Sequence, residues 1–360
     1  MNKRKLILFQ FLGPNKQFFD EDGADDRNQF VRYLKRDFKI AGYTSEPLKN
    51  QKLKNVYAIL FFDLHSVYPI YGSIYKKLKF LIFNKLRSDT SSRNIFHEEK
   101  KLGIRIKKFL IAFEPRIICP DNFNSKYASL FDKTFSWSKD CCGGNSKNII
   151  IKLPIPEQEY KEIKFDNFSR KKTLVTISSN KGSYEKKSLC KMKYDIYDEL
   201  SKYLRNQFDL YGYMWDQSFI SWFLKFIRGT KSKYFLIKPK YFKGTVRNKE
   251  SILKNYKFCL VIENMSDYSF ITEKIFHAIN EGCVPVYYGA PNISQIIPKQ
   301  CFINMRDFES WRKLFDYLTD FTIQDYQEFL LNRKKFLNSK EYKKFTSQEF
   351  TNDIISNVLY

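Results

Sequence analysis

The residues best placed to do chemistry in this 360-residue chain lie in one stretch, KFCLVIENMSDYSFITEKIFHAINEGCVPVYYGAPNI, residues 257–293. The apolar runs Lys257–Ile262 and Cys283–Tyr288 read as buried strands. Between them Thr272 stands at the N-cap of a helix that carries Ile275, Ala278 and Ile279 on one face and stops at Gly282. A parallel βαβ unit puts both strand ends and the helix start on one edge of the sheet, so Glu263, Asn264, Thr272 and Gly289-Ala290 gather there. Open α/β sheets bind ligands at that edge, and helix N-termini offer free N–H groups to anions. Lys274 breaks a local rule: a cation in the first helical turn opposes the dipole at a cost of about 0.3–1 kcal/mol. A phosphate bound there reverses the sign, because lysine and helix end then attract the same anion. Glu273 suits the dipole without any function, and Asn264 fits either a turn or a ligand hydrogen bond. Glu114 ends another buried run, Phe109–Phe113, with Pro115 holding it extended. It reads either as a solvated strand-end acid or as a general base.

The elements that must position these residues follow an α/β pattern with parallel sheets. The first half offers strands at Lys5–Phe9, Val56–Phe61 and Phe109–Phe113. The second opens with TLVTI at 173–177, an SSNKGS loop, a helix near 192–205 and FDLYG at 208–212, a βαβ unit of ordinary length. Residues 151–172 carry two prolines early on and no clean period, and read as a linker. The expected organisation is thus 1–150, a linker 151–172, a second domain 173–325 and C-terminal helices 326–360. The length agrees, since domains mostly run about 100–200 residues.

Composition narrows the classes. With 43% hydrophobic residues the chain can build packed cores, which excludes a disordered or fibrous protein. The 63 Lys+Arg against 39 Asp+Glu leave +24, which points to a polyanion, an anionic membrane or a phosphorylated small molecule, or to a general Lys-rich bias. Seven cysteines, an odd number partly inside apolar runs, suit free buried thiols in a reducing compartment. Three histidines with no neighbouring ligand set argue against a structural metal. The basic, then apolar start MNKRKLILFQFLGP is too short for a signal peptide core and reads as a first strand. No run reaches the roughly 18 apolar residues of a membrane span. A cytoplasmic protein is expected, either soluble or in peripheral contact with an anionic membrane; the basic, aromatic segment 71–87 either packs on the sheet or lies on such a surface.

The stretch YKFCLVIENMSDYSFITEKIFHAINEGCVPVYYGAPNISQIIP resembles the donor-binding signature of the α1,3/4-fucosyltransferase family, glycosyltransferase family 10. The SSNKGS loop followed by a helix and DLYG is similar too, as are AFEP and FDKTFSWSKD in the first half, so the resemblance runs over roughly 105–310. It implies a GT-B arrangement of two Rossmann-like domains facing a central cleft, acceptor-binding first and nucleotide-sugar-binding second. It also implies inverting transfer of fucose from GDP-β-L-fucose to a hydroxyl of a GlcNAc-type residue in a surface or lipid-linked glycan. Carried over, Glu114 is the general base and Glu273 supports the oxocarbenium charge. Lys274 neutralises the diphosphate, and Ser179, Asn180, Glu263, Asn264, Phe270 and Thr272 line the donor site. No metal is obligatory, although Mn²⁺ helps some members. Three departures stand out: Phe270 replaces the usual Tyr, IEN replaces FEN, and Lys191 or Lys193 stands where an Arg is common. Lysine is a point charge, not a fork.

Two other classes compete. A GT-B enzyme with another nucleotide sugar shares every feature above. A nucleic-acid-binding protein also fits +24 and 18% aromatics, but the lysines are spread along the chain with no recognised binding motif, so no nucleic-acid partner is expected. A literal DxD, Asp20-Glu21-Asp22 with Asp25-Asp26 after it, reads as a solvated acidic loop.

Overall fold

A computed structural model of the chain describes residues 5–11, 28–64, 95–158, 160–164, 168–169, 171–180, 185–216, 239–246 and 248–360. Asp20-Glu21-Asp22, Asp25-Asp26, the segment 71–87 and Lys181 to Ser183 of the SSNKGS loop lie outside the described residues.

Two compact units form, Met1–Glu157 with Lys344–Tyr360, and Gln158–Lys343. The first is built on β1 (Leu6–Gln10), β2 (Thr44–Pro47), β3 (Val56–Phe62), β4 (Lys107–Ala112), β5 (Lys133–Ser136) and β6 (Asn148–Ile150), with α1 (Gln29–Ile40) and α2 (Ile95–Leu102). The six strands form one sheet in the order β2-β1-β3-β4-β5-β6. All neighbours are parallel, and both faces are covered. That is why β3 and β4 read as continuous apolar runs and not as alternating ones. Phe30, Val31, Leu34 and Phe38 of α1 recur at helical spacing and pack with Ile7, Phe9 and Leu60 on one face. The order reverses between β1 and β3, which makes the carboxyl ends of those strands a topological switch point.

The second unit holds β7 (Lys172–Ile177), α3 (Cys190–Leu204), β8 (Phe208–Tyr211), β9 (Phe242–Gly244), α4 (Glu250–Leu253), β10 (Tyr256–Ile262), α5 (Glu273–Asn280), β11 (Val284–Tyr288) and β12 (Ile303–Asn304). The helices α6 (Trp311–Asp320), α7 (Ile323–Leu337) and α8 (Lys340–Lys343) follow. Its sheet runs β12-β11-β10-β7-β8-β9, again all parallel, with Phe258 of β10 paired to Leu174 on one side and Val284 on the other. Here the order reverses between β7 and β10.

Two boundaries differ from the sequence reading. The segment 326–360 is not one block: its last helix, α9 (Ser347–Leu359), joins the first unit. Phe350, Ile354 and Val358 recur every fourth residue and enter the first unit's core, with the Phe350 ring 5.3 Å from Phe30 and 5.5 Å from Phe113. The segment 151–172 is more than a linker. Ile155 is buried and bonds Phe345 and Ser347, and Phe168 stacks on Tyr326 at 4.4 Å inside the second core. A 3.6-residue period shows that a helix needs a partner, not which unit supplies it. All seven cysteines are free and buried. Among the described residues no helix is long and apolar enough to cross a membrane.

Candidate active site

The second unit's switch point is framed by the loops after β7 and β10. Ser178 leaves β7 with its carbonyl accepting from Trp215 Nε1 at 2.6 Å. Gly212, the last residue of DLYG, has φ +144°, and a Cβ there would stand 1.8 Å from the Ser178 carbonyl oxygen. Only glycine lets the two strand ends approach so closely. Asn180 donates its backbone N–H to Tyr213 O at 2.9 Å and accepts from the Tyr194 hydroxyl; Ser179 before it is half-buried.

The structure separates the two lysines proposed for the missing arginine. Lys191 is exposed, whereas Lys193, fourth residue of α3, is 4% exposed and donates from Nζ to Asn264 Oδ1 at 2.9 Å. That bond ties the start of α3 to the loop after β10.

Glu263 is fully buried where β10 ends, and its carboxylate is occupied from within the protein. Oε1 accepts from the Thr272 N–H and hydroxyl, both at 3.0 Å, and Oε2 accepts from Lys274 Nζ at 2.9 Å. Thr272 does sit at the N-cap position, but its hydroxyl serves Glu263 and does not cap α5. Room for Glu263 comes from Gly289, where a Cβ would stand 2.6 Å from Glu263 Cγ. The glycine ending VPVYYG is therefore a packing requirement of the buried acid. Glu263 thus positions Thr272 and Lys274.

Glu273 and Lys274 open α5. Burial pushes the Glu273 carboxyl up, but Lys249, Lys274 and His277 outweigh it and hold it at about 2; Lys249 Nζ lies 3.4 Å from Glu273 Oε1. Burial likewise disfavours the charge on Lys274, and Glu263 and Glu273 more than restore it. Ser178, Lys249, Lys274 and His277 line a common pocket beside β7 and β10. Phe270 is buried directly after Ser269, whose φ of +62° is held by Asn292 through bonds of 2.9 and 3.2 Å.

In the first unit Glu114 follows β4 and is half-buried. Its N–H donates to Asp63 Oδ1 at 2.9 Å, and its carbonyl accepts from Asn122 Nδ2 at 3.1 Å. Burial and, next, the charge of Glu114 raise the Asp63 carboxyl to about 7.

Four residues here escaped the sequence reading. Asp63 ends the buried run of β3 just as Glu114 ends that of β4, so the same strand-end rule finds it. Asn122, Lys249 and Arg306 carry no local signal. Arg306 sits just past β12 with its guanidinium 4.1 Å over the Tyr288 ring, and it bonds Tyr288 Oη, Ser266 Oγ and the Gly289 carbonyl at 2.9–3.1 Å. Among the described residues no cluster of three or more His, Cys, Asp or Glu forms a metal-binding arrangement.

The model of "Glycosyltransferase family 10 (fucosyltransferase) C-term" matches residues 168–354. The chain is similar to the alpha-(1,3)-fucosyltransferase FucT of Helicobacter pylori, 36% identical over 73 residues, which are 20% of this chain and 15% of that protein. It is similar to an alpha-(1,4)-fucosyltransferase of Arabidopsis thaliana, 39% identical over 66 residues, 18% of this chain and 16% of the other. It is also similar to GDP-fucose protein O-fucosyltransferase 3 of Danio rerio, 39% identical over 97 residues, 27% and 20% of the two chains. The matches span a fifth or less of each relative's length. In fold, the crystal structure of an alpha1,3-fucosyltransferase superposes with a TM-score of 0.54 at 15% identity, covering 100% of this chain and 92% of that one. Its complex with GDP-fucose gives 0.53 at 14% identity, covering 99% and 90%. Two parallel-sheet α/β units of this kind are the GT-B fold class.

Proposed function

Since the chain belongs to glycosyltransferase family 10, the fucosyltransferases, we propose that it transfers L-fucose from GDP-β-L-fucose to a sugar hydroxyl with inversion. The acceptor oxygen bonds to fucose C1 on the face opposite the diphosphate. The C1–O bond to GDP breaks with its electron pair on the β-phosphate, and the acceptor proton passes to Glu114.

One observation carries the donor side. The helices α3 and α5 both start at the second sheet's switch point, and each holds a buried or part-buried lysine in its first turn, Lys193 and Lys274. A cation there works against each helix's own dipole. A diphosphate there is drawn by both helix ends and both lysines, with Lys274 shared between it and Glu263. Charge developing on the leaving group meets donors already fixed in place, which is how such sites lower barriers. Glu273, kept ionised down to about pH 2, supplies the negative charge that an oxocarbenium-like fucosyl group needs.

The acceptor we propose is a GlcNAc-type residue, fucosylated at O3 or O4, of a surface or lipid-linked glycan at the cytoplasmic side of an anionic membrane. The relatives named for α1,3, α1,4 and protein transfer make a protein hydroxyl the second acceptor class to assay. The lysines in place of arginine and Phe270 in place of tyrosine bear on the sugar, so the donor is tested first. Thermal-shift ranking of GDP-fucose, GDP-mannose, UDP-sugars and ADP-sugars should place GDP-fucose at the top. Incubation with GDP-fucose and a panel of β-galactosyl-GlcNAc acceptors and folded protein acceptors should then add one deoxyhexose by mass. A stronger shift from another nucleotide sugar overturns the donor. Retention on DNA that responds to salt and ignores GDP overturns the enzyme reading altogether.

A further inference from the structure

At the first unit's switch point, Asp63 leaves β3 with φ +60°, a left-handed conformation that turns its side chain back over the neighbouring strand end. A single carboxylate oxygen, Oδ1, accepts from the Phe113 N–H at 2.8 Å, the Glu114 N–H at 2.9 Å and Asn122 Nδ2 at 2.8 Å. Asn122 is fully buried and its amide oxygen accepts from the Leu64 N–H at 2.8 Å. Its amide nitrogen also reaches the Glu114 carbonyl at 3.1 Å. Both backbone polar groups of Glu114 are therefore held by side chains from other segments.

We propose that Asp63 is a positioning residue for Glu114, fixing the backbone that carries it and coupling its protonation to a second carboxyl. The inference rests on the reading of Glu114 as the base that takes the acceptor proton.

Three neutral donors on one oxygen explain the need for an acceptor at this position but not for a carboxylate, since an amide oxygen accepts the same bonds. The charge is what distinguishes Asp from Asn. Among the described residues, the ionisable side chains on the segments that hold Asp63 include Glu114, Arg116, which lies over the Phe123 ring at 4.4 Å, the Cys119 thiol, which donates to Asn122 Oδ1 at 3.3 Å, and Asp121. Of these, Glu114 is the one whose charge raises the Asp63 carboxyl to about 7, after burial itself. Repulsion is mutual, so the two carboxyls titrate as a pair that takes up its first proton near neutral pH. A carboxyl pair of that kind suits abstraction of a sugar hydroxyl proton near neutral pH.

The decisive variant is Asp63→Asn. It keeps an oxygen for the three donors and a side-chain type that tolerates positive φ, and it deletes the charge. Expected are a fall in kcat of about tenfold, a KM for GDP-fucose within about twofold of wild type, and an acid limb of kcat/KM displaced to lower pH. Asp63→Ala, which also frees the backbone, should cost about a hundredfold in kcat. Glu114→Gln is measured alongside. If it is dead while Asp63→Asn keeps the wild-type acid limb, the positioning role is overturned and the base stands. If Glu114→Gln turns over normally, the base reading falls and this inference with it. Should Asp63→Ala fail to fold, the pH profile of Asp63→Asn decides alone.

Discussion

At the edge of the first sheet the Asp63 carboxylate accepts from neutral N–H groups, that of Glu114 among them, and the charge of Glu114 helps raise the Asp63 carboxyl to about 7. At the edge of the second sheet the two acids beside the start of α5 each meet a lysine: Glu263 takes Lys274 at 2.9 Å, and Glu273 takes Lys249 at 3.4 Å and falls to about 2. The architecture is the same in both, parallel strands ending at a switch point. What differs is charge balance, and with it the chemistry available. Asp63 holds its proton to near neutrality and can exchange it, whereas Glu273 stays ionised down to about pH 2 and can only present charge. In the proposed reaction the first edge serves proton transfer and the second the departing diphosphate.

The comparison breaks most visibly at Glu114. Glu114→Gln deletes the proposed proton acceptor while keeping size and backbone, and transfer should fall by about 10³-fold, within the range that general bases supply. GDP affinity, measured calorimetrically, should stay within about twofold. Wild-type turnover in the variant would show that the first edge does no proton chemistry.

Next in size is Lys274→Ala. Glu263 is then left fully buried without its cation, which costs about 3–5 kcal/mol of stability when one partner of a buried pair is removed. Weaker GDP binding, by about 10–100-fold, accompanies the loss of one charge-assisted bond. The double change Glu263→Gln with Lys274→Met separates the two effects: denaturant midpoints should recover while GDP affinity does not. Unaltered GDP affinity in either protein would remove Lys274 from the diphosphate site.

A third test uses the opposite titrations of the two edges. Asp63 holds its proton up to about pH 7, whereas the unfolded chain releases it near 4. Between those values unfolding releases a proton, so the contribution of Asp63 to stability falls as pH rises, by at most about 1.4 kcal/mol per pH unit, and levels off above 7. Glu273 behaves in the reverse sense. Its depressed value adds stability that is present above about pH 4.3 and is lost as pH falls toward 2. The Tm of Asp63→Asn should therefore gain on wild type between pH 4.5 and 8, and the Tm of Lys249→Met should lose less than wild type below pH 4. A constant difference at all pH values would show that neither acid is tuned by its neighbours.

Much of this was legible in the chain. Lys274 announced itself by breaking the dipole rule, Glu114 by ending an apolar run, and both βαβ halves by strand and helix periods. The unread parts depend on distant residues. Asp63 obeys the same strand-end rule as Glu114, but its meaning comes from Asn122 and the β4 end folding onto it. Glu263 looked like one more donor contact until Gly289 and Thr272 enclosed it. The last helix carries an apolar face that names no partner, and only folding delivers Phe350 to Phe30 and Phe113.

The smallest expected effect is the sharpest check on the second edge. Lys191 and Lys193 are the same residue type two positions apart, equally basic and equally close to the SSNKGS loop, so sequence offers no choice between them. A helix turns about 200° over two residues, and side chains so placed cannot share a face. The fold assigns the inward direction to Lys193, which bonds Asn264 at 2.9 Å, and leaves Lys191 in water. Lys191→Ala should thus change GDP affinity and stability by less than about 0.5 kcal/mol, as surface substitutions do. Lys193→Ala should weaken GDP binding about tenfold, through both its own charge and the release of Asn264. Equal losses in the two variants would mean that the diphosphate is drawn by the diffuse +24 of the chain and not by lysines fixed at helix starts. In that case raising the salt concentration would weaken both variants and wild type alike.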